Sequence, residues 1–335
     1  MIQSELFFRV AFSCVSAVIF GTLLIGACLW IARLAGWTRR NLCGDSSIDL
    51  ITSQPQPKPT WTAVEFLVFF GVLILFASLL QPPPADLPAA LKTEASPEVL
   101  TGESSADKIA DLAADARADE SATGGVAENG ETSARQKRRI LAHTTANVVA
   151  LGTTILFLHL LYGATLRSLS LLPRWRDLRI GLVATPWILM PVLGINLLVV
   201  QFVEYEHAVT NLLGEDADGA TFAFLFASAA IVTPIAEEFQ FRLLLQGGLQ
   251  QLGEPAGEGD WEPRAFWPIL VTSFLFAAMH FGQGAAPIPL FFLSIGLGLL
   301  YQRTGRLIPV IIVHMLLNGA TLLTEFCRIN GNVSG

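Results

Sequence analysis

Charge is scarce in this chain. Of its 335 residues only 15% are Asp, Glu, Lys or Arg, against about a quarter in an average soluble domain. So few charges do not suit one large water-facing domain. The formal net charge of -7 reflects acid gathered in one polar segment and implies no basic partner. No basic stripe with interleaved aromatics is present, which removes nucleic-acid binding from consideration. Cysteine is equally sparse. Cys14, Cys28, Cys43 and Cys327 form no CxxC pair and no metal-type spacing, so neither a disulfide framework nor a cysteine zinc site is expected. The patterns Gly-x-Ser-x-Gly and His-Glu-x-x-His are missing, and Ser273 and Ser294 have no evident base. Serine hydrolysis and the soluble metalloprotease arrangement both lose their signatures.

Long apolar runs are abundant: 52% of the residues are hydrophobic. A span needs about 20 mostly apolar residues. Eight stretches qualify: Phe7–Leu34, Trp61–Leu80, Ala146–Leu166, Ile180–Val203, Ala220–Leu245 (continuing as helix to Leu252), Ala265–Phe281, Pro287–Tyr301 and Leu307–Phe326. The expected fold is an all-α polytopic bundle of about eight transmembrane helices. The first run outlasts a signal-peptide core of about 7–15 residues and stays apolar past Cys28, so it reads as an uncleaved helix. Residues 81–139 differ in kind. They open on Gln81-Pro82-Pro83-Pro84 and continue rich in Ala, Glu, Asp, Ser and Gly, a composition that buries no apolar face. Within them Ser105–Glu120 has the cap and alanines of a short helix. This divides the chain into a two-helix N-terminal membrane unit (1–80), an acidic disordered linker (81–139) and a six-helix core (140–335). No internal repeat is evident.

Short-loop charge orients the spans. Arg167, Arg174, Arg176 and Arg179 face a single acid, Asp177, and place that loop in the cytoplasm. The acidic loop from Glu204 to Asp218 falls outside. Arg39, Arg40, Arg264, Arg303 and Arg306 fall inside, and both termini outside. Lys137-Arg138-Arg139 would lie outside, as long loops often cross regardless of charge.

Polar residues inside these spans carry the functional signal, because charge at mid-membrane is costly and usually has a use. Glu237 and Glu238 lie deep in span five. Arg242, four residues after Glu238, shares its helix face and can pair with it. Glu237 points about 100° away and has no local partner. His280 ends Phe276-Ala277-Ala278-Met279-His280 on span six. Folding spans five and six about Gly259 brings His280 opposite Glu238, at the depth of Glu237. An imidazole beside a carboxylate can hold and polarise a water. His314 and Asn318 share one face of span eight, and both can donate to a developing oxyanion. His143, His159 and His207 lack partners at ligand spacing.

Glu237-Glu238-x-x-x-Arg242, Phe276-x-x-x-His280 and His314-x-x-x-Asn318 resemble, in order, the three motifs of the CPBP intramembrane proteases, which include the type II CAAX prenyl endopeptidases and bacteriocin-related immunity or processing proteins. Thr304-Gly305-Arg306-Leu307-Ile308-Pro309 is similar to the family's approach to its third motif. The resemblance covers about residues 180–327. It implies Glu237 as the general base, His280 as a water-positioning residue, His314 and Asn318 as oxyanion donors, and Glu238 and Arg242 as supports. Glu237, His280 and His314 are the candidate ligands should a divalent metal such as zinc be required. Metal-free acid–base chemistry by the same groups is equally open. The implied substrate is a membrane-associated protein or peptide, with prenylation undetermined, met in the lipid bilayer of a bacterial inner membrane. A non-catalytic immunity factor or scaffold of the same fold is the alternative, and a proton-coupled transporter ranks third.

Overall fold

In a hydrocarbon medium every backbone N–H and C=O must find its partner within the protein, so apolar runs fold as helices. The computed structural model describes residues 2–43, 51, 56, 58–80, 125–203, 212–214, 217–253 and 261–333. Among these residues there is no β-strand, only an isolated bridge between Gln56 and Trp261. The long helices are α1 (Ile2–Cys43), α2 (Val64–Leu80), α3 (Gly125–Tyr162), α4 (Trp175–Val199), α5 (Gly219–Gly253), α6 (Trp267–Ala278), α7 (Pro287–Thr304) and α8 (Leu307–Asn330). Each of the eight apolar stretches thus becomes a helix. By length and hydropathy α1, α3, α4, α5 and α8 can each cross a membrane, while α2 and α6 are shorter apolar helices. The chain is an all-α, polytopic, integral membrane bundle; among the described residues five helices meet the length and apolarity of a full crossing, against the eight expected.

Local chemistry sets the helix ends. Thr62 and Glu65 make a capping box at α2: the Thr62 backbone N–H donates to Glu65 Oε2 at 2.9 Å, and the Val64 N–H donates to Thr62 Oγ1 at 3.2 Å. At α4 the Arg174 N–H donates to Asp177 Oδ2 at 2.9 Å. Proline stands in the first turn of α6 and α7, where its missing N–H costs nothing. Gly305 ends α7 with φ of 60°, a left-handed conformation that favours glycine. One departure from the sequence reading appears. Helix α3 starts at Gly125, so residues 125–139 are helical and continuous with the span; their Ala, Glu, Lys and Arg are good helix formers, which an apolarity window does not detect. Ser105–Glu120 lies outside the described residues.

Helix α8 sits at the centre, packed on α1, α4, α5 and α7. Helix α1 lies on α4 and α8, and α2 lies on α3 and α5. The approach of α1 to α4 depends on Gly26: a Cβ there would overlap the Pro186 carbonyl oxygen and stand 2.6 Å from Met190 Cβ. Beside it, Trp30 Nε1 donates to the Trp187 carbonyl at 3.0 Å. Helix α2 is fixed at its start by the Tyr162 hydroxyl, which donates to Glu65 Oε1. Farther along, Phe66 meets Phe241 edge-on and Phe69 meets Phe239.

Helix α5 is not uniform. Phe226–Val232 and Phe239–Gln246 are π-helical, and the α-helical turn Thr233–Glu238 lies between them. The N–H of Thr233 reaches back five residues to Ser228, and that of Gly247 reaches Arg242. Pro234 has no N–H for the ladder, so a widened turn ahead of it is accommodated at little extra cost. Wide turns of this kind concentrate at functional sites. Here they bracket Glu237 and Glu238.

Candidate active site

Three helices converge on the α-helical turn of α5. Glu238, Arg242 and Ser294 are fully buried, and His314 is nearly so. Arg242 Nε donates to Glu238 Oε2 at 2.8 Å, and its NH2 donates to Ser294 Oγ on α7 at 2.9 Å. The guanidinium also lies 5.6 Å from the centre of the Phe276 ring, within cation–π range. The other Glu238 oxygen, Oε1, lies 2.7 Å from His314 Nδ1. A carboxylate only accepts, so Nδ1 carries the proton. In a neutral ring Nε2 then keeps its lone pair, and Nε2 stands 3.7 Å from Glu237 Oε2.

His280 reproduces this logic from the opposite side. Its Nδ1 faces the Phe276 carbonyl oxygen at 2.8 Å, another obligate acceptor, so its Nε2 also presents a lone pair. That Nε2 is 4.0 Å from Glu237 Oε1. Both imidazoles are therefore held in one tautomer by the protein, with Nε2 turned to the same carboxylate. Glu237 and His280 keep side-chain exposures of 20% and 16%, against 0% for Glu238. Glu237 and His280 are reachable, whereas His314 and the Glu238 carboxylate beneath them are sealed. Nitrogen-to-oxygen gaps of 3.7 and 4.0 Å are too long for direct hydrogen bonds and suit a small molecule held between the groups.

The donor set also bears on a metal. Two imidazoles whose Nδ1 atoms donate to a carboxylate and to a backbone carbonyl, plus one carboxylate, match the outer-shell pattern of metal-binding histidines. As the side chains stand, no three His, Cys, Asp or Glu among the described residues are gathered closely enough to hold an ion.

Of the residues singled out from sequence, Glu237, His280 and His314 come together, and Glu238 pairs with Arg242 as its spacing foretold. Asn318 lies one turn along α8 from His314, and its Nδ2 donates to the Ala229 carbonyl in the first π-helical segment at 3.0 Å. One amide N–H is thus engaged and the second remains. Asn318 also lines a largely apolar cavity of about 980 Å³ between α1, α4, α7 and α8. Sequence reasoning set Ser294 aside as a serine without a base; its role here is to hold Arg242. His143 pairs with Asn147 Nδ2 at 3.2 Å, and His159 Nδ1 with the Ala164 carbonyl at 2.9 Å, both away from the site.

No curated protein and no solved structure matches the chain. Residues 219–320, which contain all seven named motif residues, match a family model described as Type II CAAX prenyl endopeptidase Rce1-like. The region that builds the site is thus similar to the type II CAAX prenyl endopeptidases, in line with the resemblance carried by its three motifs.

Proposed function

We propose that the chain is an intramembrane endopeptidase that hydrolyses a peptide bond in a membrane-associated protein with a water activated by Glu237. The observation that carries this reading is the convergence of two fixed imidazole Nε2 atoms on one accessible carboxylate, backed by a sealed Glu238–Arg242 pair. Water held between Glu237 and His280 Nε2 passes a proton to the Glu237 carboxylate as its oxygen attacks the substrate carbonyl. In its imidazolium form His314 donates from Nε2 to the tetrahedral oxyanion, while Glu238 keeps the ring oriented through Nδ1. The second Asn318 N–H is the further oxyanion donor. Protonated Glu237 then returns its proton to the departing amine. The apolar cavity at Asn318 accommodates an apolar part of the substrate, and a prenyl group falls within this proposal, as does residence in a bacterial inner membrane. The division of the chain into an N-terminal two-helix unit and a protease core, joined by a linker that ends where α3 begins at Gly125, belongs to the same proposal.

A second reading keeps the same residues and adds a divalent ion such as zinc on Glu237, His280 and His314. It is favoured by the two Nδ1 atoms being occupied, which leaves both Nε2 lone pairs for a ligand. Such an ion would lower the pKa of a bound water and polarise the carbonyl. The test is cleavage of a reporter substrate by purified protein before and after exhaustive chelation. Loss of cleavage on chelation with recovery on adding zinc supports the ion, and undiminished cleavage rules it out. A non-catalytic scaffold would tolerate Glu237→Gln in its binding function and cut nothing.

A further inference from the structure

Behind the sealed carboxylate a line of polar side chains continues along α5. Glu238, Arg242, Gln246 and Gln250 follow one another at four-residue intervals, and all four are buried. Over twelve residues a helix rises roughly 18 Å, more than half the thickness of a bilayer core. The line runs from the candidate site to the end of α5 near Trp261 and the Arg167–Arg179 loop. A protein spanning lipid gains nothing from a buried polar column unless its members are satisfied.

The column is only partly satisfied by protein. Arg242 uses Nε and NH2, and its NH1 has no protein partner. Gln246 Nε2 donates to the Gly298 carbonyl at 2.9 Å, while Gln246 Oε1 has none. Gln250 Nε2 has none either, nor has Ser273 Oγ on α6. These atoms share one seam. A Cβ built on Gly298 would stand 3.0 Å from Gln246 Oε1 and 2.9 Å from Ile269 Cγ2, so Gln246, α6 and α7 meet there. Ser273 lies one turn from Ile269 and one from Phe276, whose ring faces Arg242. At the far end Gln250, Gly247, Tyr301 and Trp61 line a small cavity of about 20 Å³, room for a water molecule.

We infer that the seam between α5, α6 and α7 is a water-binding column. It joins the buried face of the site to the membrane surface near Trp261 and exchanges the water and protons that hydrolysis consumes and releases. Donors (Arg242 NH1, Gln250 Nε2) alternate with acceptor-capable groups (Ser273 Oγ, Gln246 Oε1), the pattern that a chain of waters satisfies with two to four bonds each. The role in hydrolysis rests on the protease reading; the binding of water does not.

X-ray radiolytic footprinting in water labelled with oxygen-18, on the full chain in lipid nanodiscs, tests this. Side chains beside ordered water acquire label even when they are shielded from bulk solvent. Ile269 and Phe276, both fully buried, are expected to label, and Phe69, equally buried but on the α2 side of α5, is not. In Gln246→Met the label at Ile269 should be lost while that at Phe276 persists. Labelling of Ile269 and Phe276 no higher than that of Phe69 in the wild-type protein overturns the column. A substrate-cleavage assay run in parallel keeps the two ideas apart. Labelling without cleavage leaves the column standing and removes the protease reading. Cleavage without labelling does the reverse. If both hold, Gln246→Met should lower kcat with KM unchanged, and an unchanged kcat contradicts the supply role.

Discussion

Replacing Arg242 with methionine removes the guanidinium from a site where Glu238 has no exposure at all. Glu238 then keeps one bond, from His314 at 2.7 Å, and loses the charge-assisted bond from Arg242 Nε at 2.8 Å. Ser294 loses its partner at 2.9 Å. Breaking a buried pair by removing one member costs about 3–5 kcal/mol, because the remaining charge is stranded. Stranding a buried hydroxyl costs about 1–3 kcal/mol more when the neighbours do not relax. The two costs overlap, so the expected destabilisation of Arg242→Met is about 3–5 kcal/mol. Glu238→Gln leaves Arg242 stranded and should cost a comparable amount. The double variant Glu238→Gln with Arg242→Met removes both charges and should be less destabilised than the sum of the singles, by about 1–3 kcal/mol of coupling. Reversible unfolding in mixed detergent micelles, run as a double-mutant cycle, measures all three. Additive effects, or an Arg242→Met variant within about 0.5 kcal/mol of wild type, would refute the claim that this pair anchors the site.

Other substitutions probe separate parts of the account. Glu237→Gln should lower cleavage of a reporter by roughly 10²–10⁴-fold, the usual scale of general-base catalysis, with unchanged unfolding; a matching loss of stability would make Glu237 structural instead. Tyr162→Phe removes the hydroxyl that binds Glu65 and should destabilise the α2–α3 contact by about 1–3 kcal/mol, read as a lower unfolding free energy in mixed detergent micelles. Gly26→Ala forces a methyl against Pro186 and Met190. It should cost about 1–3 kcal/mol and shift the fluorescence of the Trp30–Trp187 pair, whose rings are 5.1 Å apart. An unshifted spectrum would mean that α1 does not depend on that close approach.

Much of this was legible in the residues. Each apolar stretch becomes a helix, since lipid leaves the backbone no other solution. The i, i+4 spacing of Glu238 and Arg242 foretold their pairing; folding α5 and α6 as a hairpin put His280 opposite Glu238 at the depth of Glu237, and in the structure its Nε2 faces Glu237 Oε1 at 4.0 Å. Other features depend on tertiary contacts that spacing does not encode. The two π-helical turns have only Pro234 as a local sign. Ser294 acts through Arg242, 52 residues away in sequence. The His280 tautomer is set locally by the Phe276 carbonyl four residues earlier, whereas that of His314 is set by Glu238, which becomes an acceptor for the ring only once α5 and α8 have packed. Gln246 and Gln250, which extend the Glu238 face at four-residue intervals, were not singled out from sequence, because spacing alone does not reveal burial.

The central claim is that Glu237 activates a water for peptide hydrolysis, and the most direct measurement is cleavage by the purified chain in nanodiscs. A panel of prenylated and unprenylated membrane-anchored reporters would be followed by mass spectrometry of the products, with wild type, Glu237→Gln and His280→Ala side by side. The account predicts a single new C-terminus whose carboxyl carries oxygen from labelled water in the wild-type reaction, with cleavage absent in Glu237→Gln and strongly reduced in His280→Ala. Cleavage that persists in folded Glu237→Gln, or a folded wild-type protein that cuts no reporter, would contradict it.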